Sequence, residues 1–171
     1  MTSVVWYSGI CVVAASLIAC NDRNALERQA RAATSQRLIG TWDARFQLDQ
    51  PLVAERRTGS RVRHVTGQLA FLANRWVSRT YPAIGSPSDY GTFDVDFTPF
   101  GFDPRSNNET PTAVAGWLGN DSLEVMLGDP AGDITVRMGG HVADDSISGD
   151  WTVMIARTGG GGGRFVMVRH Q

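Results

Sequence analysis

From residue 39 to the C-terminus, apolar and polar residues alternate with a period of two. Trp42, Ala44, Phe46 and Leu48 are separated by Asp43, Arg45 and Gln47, the pattern of a strand with one buried and one wet face. The pattern recurs along the chain. Residues 65–73 place Leu69 and Phe71 on one side, and Phe93, Val95 and Phe97 alternate with Asp94 and Asp96. Leu123, Val125 and Leu127 alternate with Ser122 and Glu124, and Ile134, Val136 and Met138 with Thr135 and Arg137. Ile147, Gly149, Trp151, Val153 and Ile155 form another such face, and Phe165, Met167 and Arg169 close the series opposite Val166 and Val168.

Turn chemistry separates these runs. Gly119-Asn120-Asp121, Gly128-Asp129-Pro130-Ala131-Gly132 and Ala143-Asp144-Asp145 are short enough for hairpins. Five consecutive glycines, 159–163, precede the last run, and residues 82–88 and 99–111 read as loops. No internal repeat and no strong helical period interrupt the series. The expected fold is therefore all-β: an antiparallel up-and-down barrel of about eight to ten strands in one domain, with a β-sandwich as the alternative. A barrel has the advantage of leaving no open edge strand.

The N-terminal region has a different pattern. Residues 4–19 are almost uninterrupted apolar sequence, short for a membrane-spanning helix of about 20 residues and suited to the apolar region of a secretory signal. Residues 1–9 hold no Lys or Arg, a departure from the basic start of such signals. The run ends in Leu17-Ile18-Ala19-Cys20, which resembles the lipobox of bacterial lipoproteins. The resemblance implies that residues 1–19 are a signal peptide and that Cys20 is lipidated and becomes the mature N-terminus. It also implies a cell-envelope protein facing the periplasm, with the membrane as partner through the anchor on Cys20. Two acyl attachments would hold firmly, whereas one binds only marginally. Residues 20–38 form the lipidated N-terminus and a polar, alanine-rich tether, in which Ala25, Leu26, Gln29, Ala30 and Ala33 recur at helical spacing but make an apolar stripe too thin for a core.

Composition narrows the chemistry. The only two cysteines are Cys11 and Cys20, so residues 21–171 hold no disulfide and no thiolate ligand. All 16 basic residues are arginine, set against 17 acidic ones, and the near-neutral balance creates no field that would attract nucleic acid.

Gly40-Thr41-Trp42 at the head of the first strand resembles the G-x-W opening of lipocalin-like (calycin-type) barrels. In that family the Trp closes one end of the barrel and an arginine from the last strand packs over its ring. The matching residues are Trp42 and Arg169. Ser88-Asp89-Tyr90 partly echoes the family's Thr-Asp-Tyr motif but comes early in the chain. The resemblance covers residues 39–171 and implies an interior that binds a small apolar ligand. Phe46, Phe71, Phe93, Phe100, Phe102 and Trp151 are the candidate ligand-binding residues. Phe100 and Phe102 sit in FTPFGFDP, where Pro99, Gly101 and Pro104 break strand periodicity, and they mark the expected ligand entrance opposite Trp42.

No catalytic constellation emerges, so no enzyme activity is expected. Asn120-Asp121-Ser122-Leu123 resembles an esterase signature only superficially, lacking the α/β context and a downstream Asp-x-x-His. His64, His141 and His170 have no metal-ligand spacing, and Asp129, Asp133, Asp144, Asp145 and Asp150 fit turns better than a calcium site. Neither metal nor cofactor is expected. The rival functional reading is a structural or protein-interaction lipoprotein whose barrel is filled by its own side chains.

Overall fold

A computed structural model describes residues 36–50, 62–77, 88–105, 112–117, 121–128, 133–155 and 160–171. The chain divides into two units, Met1–Arg37 and Leu38–Gln171. Residues 1–35, which include the expected signal, Cys20 and most of the expected tether, lie outside the described residues, as do Asn120 and Asp129.

Eight strands make up the second unit. They are β1 (Gly40–Gln50), β2 (His64–Val77), β3 (Ser88–Val95), β4 (Thr112–Trp117), β5 (Ser122–Leu127), β6 (Ile134–Ala143), β7 (Ser146–Ile155) and β8 (Gly162–Arg169). Each pairs antiparallel with its sequence neighbour, and β8 returns to β1 to close a barrel in the order β1 to β8. The closing seam runs from Trp42 opposite Arg169 to Gln50 opposite Gly162, with one irregularity between Leu48 and Gln50. Closure excludes the sandwich and leaves no open sheet edge.

The interior is built from the inward half of the alternation. In β1, Trp42, Ala44, Phe46 and Leu48 are buried while Asp43, Arg45, Gln47 and Asp49 are exposed. Leu69, Phe71, Phe93, Val95, Val125, Leu127, Val136, Met138, Ile147, Trp151, Phe165 and Met167 join them in one core cluster. Such burial contributes roughly 1.5–3 kcal/mol per large apolar side chain. Glycine makes room for the larger rings: a Cβ on Gly140 would lie 2.8 Å from Cζ of Phe165. The β6–β7 link is a tight turn in which Asp144 takes φ 48° and Ser146 Oγ donates to the Ala143 carbonyl. Asp tolerates this left-handed backbone better than most side chains.

Two features differ from the sequence reading. β4, TAVAGW, falls in no alternating run, because Ala113, Val114, Ala115 and Gly116 are all buried and no wet face marks the strand. In β5 the alternation assigned Glu124 to solvent, yet it is only 4% exposed and forms an ion pair with Arg137 of β6. Its neighbour Met126 packs with Val114 in a small separate apolar cluster. A buried carboxylate needs such a partner, since its desolvation would otherwise be prohibitive.

Candidate functional site

One end of the barrel is closed by strand residues. Trp42 is fully buried, and its indole Nε1–H donates to the Leu38 carbonyl at 2.8 Å. The Arg169 guanidinium lies 4.5 Å from the centroid of the Trp42 ring. Arg169 Nη1 also donates to the Ile39 carbonyl at 2.8 Å, and Nε reaches Asp145 Oδ1 at 3.3 Å in the β6–β7 turn. One side chain thus joins the start of β1, the end of β8 and that turn. Gly40 fits beneath it: φ is 123°, and a Cβ there would sit 3.1 Å from Arg169 Nη1. Both facts account physically for the glycine of the G-x-W triplet.

Outside this end lies a polar cluster. Asp43 Oδ2 meets His170 Nδ1 at 2.8 Å, and Gln68 Nε2 donates to Asp43 Oδ1 at 2.8 Å. The His170 and Gln68 contacts hold the Asp43 carboxyl below its ordinary value. The third member of this cluster is the Gln68 amide. Among the described residues no group of three or more His, Cys, Asp or Glu is arranged to hold a metal.

The opposite end is closed by a loop. Phe97 follows β3, and Thr98–Phe100 form a single 3-10 turn with Pro99 in its first positions, ended by Gly101 at φ 90°. Gly101 is needed there because the backbone turns left-handed. This turn reverses the chain so that Phe97, Phe100 and Phe102 all point into the barrel, at 0%, 0% and 5% exposure. There all three meet Trp151 of β7, Phe97 also meets Phe46 of β1, and Phe46 in turn stacks with Phe165 of β8. Phe100 stacks parallel on Trp151, with centroids 5.7 Å apart and planes 5° apart. Phe97 and Phe102 stack at 5.2 Å and 20°, while Phe46 stands edge-on to Trp151 at 82°. The Trp151 indole N–H donates to the Gln47 carbonyl at 3.0 Å, so its polar atom is satisfied.

Charged residues brace the base of this plug. Asp96 Oδ1 accepts from the Thr98 backbone N–H and hydroxyl, while Arg105 donates three hydrogen bonds to Asp103, one from its backbone N–H and two from its guanidinium, and reaches Asp96 at 3.8 Å. The Thr98 bonds pull the Asp96 carboxyl below its ordinary value, and the Arg105 bonds do the same for Asp103.

The candidates from the sequence fall into three places. Trp42 and Arg169 meet at the strand-closed end. Phe46, Phe100, Phe102 and Trp151 meet in the ring cluster at the other. Phe71 and Phe93 are buried in the same core on β2 and β3, outside that cluster. Phe97 and Phe165 belong to the cluster but were not among the candidates. Each continues the inward period of its strand, and that signal was available. Cys20 lies outside the described residues.

No family model matches the chain, and no curated protein matches it. Among solved structures it is similar to a Schistosoma mansoni fatty acid binding protein in complex with arachidonic acid. That likeness is at 14% identity and a TM-score of 0.37, over 81% of this chain and 99% of the other. At this level the likeness carries no information about ligand or chemistry.

Proposed function

We propose that this is a lipid-anchored barrel of the bacterial cell envelope that binds a small apolar molecule at its aromatic end and is not an enzyme. The observation that carries the reading is the chemistry of the interior. Among the described residues, the buried polar or charged side chains are Glu124 and Thr135, both at outward strand positions, so the interior is lined by apolar groups. An apolar interior selects an apolar occupant. The place for that occupant is the space filled by Phe97, Phe100 and Phe102, which come from a loop. A loop can withdraw at lower cost than a strand held by ladders on both sides. Ligand and plug then compete for the same aromatic walls.

Titration of the full-length chain with the neutral apolar dye N-phenyl-1-naphthylamine tests this reading. Saturable one-to-one binding that tightens in Phe100→Ala is the expected result. Absence of binding in both proteins would contradict it. The anchor has its own test: labelled palmitate should enter the wild type and not Cys20→Ser. An unlabelled wild type with a free Cys20 thiol would overturn the anchor.

The second reading is a structural or protein-interaction lipoprotein with a permanently filled barrel. The contact of six rings at centroid separations of 5.0–6.5 Å favours it. Its signature is a barrel that excludes the dye even after ring truncation.

A further inference from the structure

Resting on the apolar-ligand reading, we infer that the ligand class of this site is a neutral, planar aromatic molecule of one or two rings, for which Phe100 is the built-in stand-in. The geometry of the stand-in sets the shape. Among the described rings around Trp151, only Phe100 lies flat on it, at 5°. Phe46, Phe97 and Phe102 meet the indole at 82°, 50° and 38°, so they wall the slot with edges and oblique faces. Withdrawal of Phe100 therefore leaves a slab-shaped space with the indole face as its floor. A flat ring recovers the stacking that Phe100 gives up, and aromatic edges recover their contact with its π-cloud. A puckered ring or a flexible chain recovers only contact area.

The electrostatics set the charge. The Trp151 N–H is committed to the Gln47 carbonyl, and among the described residues the side chains that meet the slot are otherwise hydrocarbon. A carboxylate or ammonium drawn into this space would lose its hydration with no partner in return among the described side chains. The charged groups at the plug base, Asp96, Asp103 and Arg105, are already joined to one another. The occupant is therefore uncharged. An apolar slot shaped by a missing ring takes up a free aromatic molecule in just this way when a cavity is opened in a protein core.

Naphthalene and decalin share a ten-carbon bicyclic skeleton and differ in the π-face, while decanoate adds a flexible chain and a charge. Each is titrated into the full-length wild type, Phe100→Ala, Phe100→Leu and Trp151→Leu, with the Trp151 indole N–H followed by NMR. The expected result is that Phe100→Ala binds naphthalene about two- to tenfold more tightly than it binds decalin, the ratio that an aromatic pair adds beyond buried area. Binding should shift the Trp151 resonance, and the preference should vanish in Trp151→Leu. Phe100→Leu keeps the core filled should the alanine variant unfold, and it should show the same preference. Equal or tighter binding of decalin or decanoate would overturn the planar-aromatic inference while leaving an apolar site in place. No binding of any probe to a folded variant would remove the apolar-ligand reading as well.

Discussion

The two ends of this barrel are closed by different means. At the Trp42 end the closing groups belong to strands and to the two-residue β6–β7 turn. Arg169 alone contacts the Trp42 ring, the Ile39 carbonyl and Asp145, and the His170 backbone N–H bonds to the Thr41 carbonyl at 2.9 Å. At the Phe100 end the closing groups come from a loop. Between described residues its backbone hydrogen bonds run within the loop, from Phe100 to the Phe97 carbonyl and from Gly101 to the Thr98 carbonyl. Both ends are equally dry, since Trp42 and Phe100 are each 0% exposed. Burial alone therefore does not tell a permanent closure from a removable one. What separates them is whether the buried ring is carried by the ladder or merely rests inside it.

The largest effects should come from truncating these rings. Trp42→Ala is expected to cost about 3–5 kcal/mol in chemical denaturation, because the surrounding strands cannot collapse into the space. Phe100→Ala should fall at the lower end of that range, about 3 kcal/mol, because the loop that carries it can readjust. If Phe100→Ala costs as much as Trp42→Ala or more, the plug is as integral as the strand-borne closure and the contrast fails.

The next effects sharpen the closed end. Gly40→Ala combines an unfavourable left-handed backbone with a contact against Arg169, and about 1–3 kcal/mol of destabilisation is expected. Arg169→Ala should cost about 1–2 kcal/mol, through lost packing on the indole and the lost bond to Ile39. The Gly40→Ala, Arg169→Ala double variant should cost less than the sum, because removing the guanidinium relieves the crowding. Strict additivity, measured by the same denaturation, would show that the two residues do not act on one another.

The smallest effect is acid sensitivity. Asp43, Asp49, Asp96 and Asp103 are all held below the ordinary value of 3.8, by His170, Arg164, Thr98 and Arg105 respectively. The folded state thus favours their ionised forms. Their contribution is complete above the unfolded value and is lost as pH falls through the lower folded values. Thermal stability should be flat with respect to these groups between about pH 5 and 6 and should decline below about pH 4. Asp43→Asn and Asp96→Asn should each reduce that decline. An acid limb unchanged in both variants would show that the two clusters add nothing at their ends.

The sequence announced the two ends unequally. Trp42 and Arg169 were legible because a three-residue motif and a terminal arginine coincide with strand alternation. Phe100 and Phe102 were legible only as large apolar residues broken out of that alternation. Whether they open outward or fold inward depends on a single turn set by Pro99 and Gly101, and spacing does not record its direction. Phe97 and Phe165 were readable as inward strand residues, but nothing local showed that both would meet Trp151 or its neighbours across the barrel. β4 and Glu124 were hidden for a related reason. Period-two alternation reports one wet face, and the region around Val114, Glu124 and Met126 has none.

Hydrogen exchange of two indole N–H groups tests the contrast between the ends most directly. Trp42 and Trp151 are equally buried, and each donates to a backbone carbonyl, at 2.8 Å to Leu38 and 3.0 Å to Gln47. The rings are matched in burial and each N–H is bonded, with the Trp151 bond lying nearer the surface, so the denaturant dependence rather than the rate alone reads the mode of closure. The Trp42 proton is expected to exchange only through global unfolding, with a denaturant dependence equal to that of the whole barrel. The Trp151 proton is expected to exchange faster, through a local opening with little denaturant dependence. Equal rates with the same global denaturant dependence would contradict the account, because the plug would then leave only when the barrel unfolds.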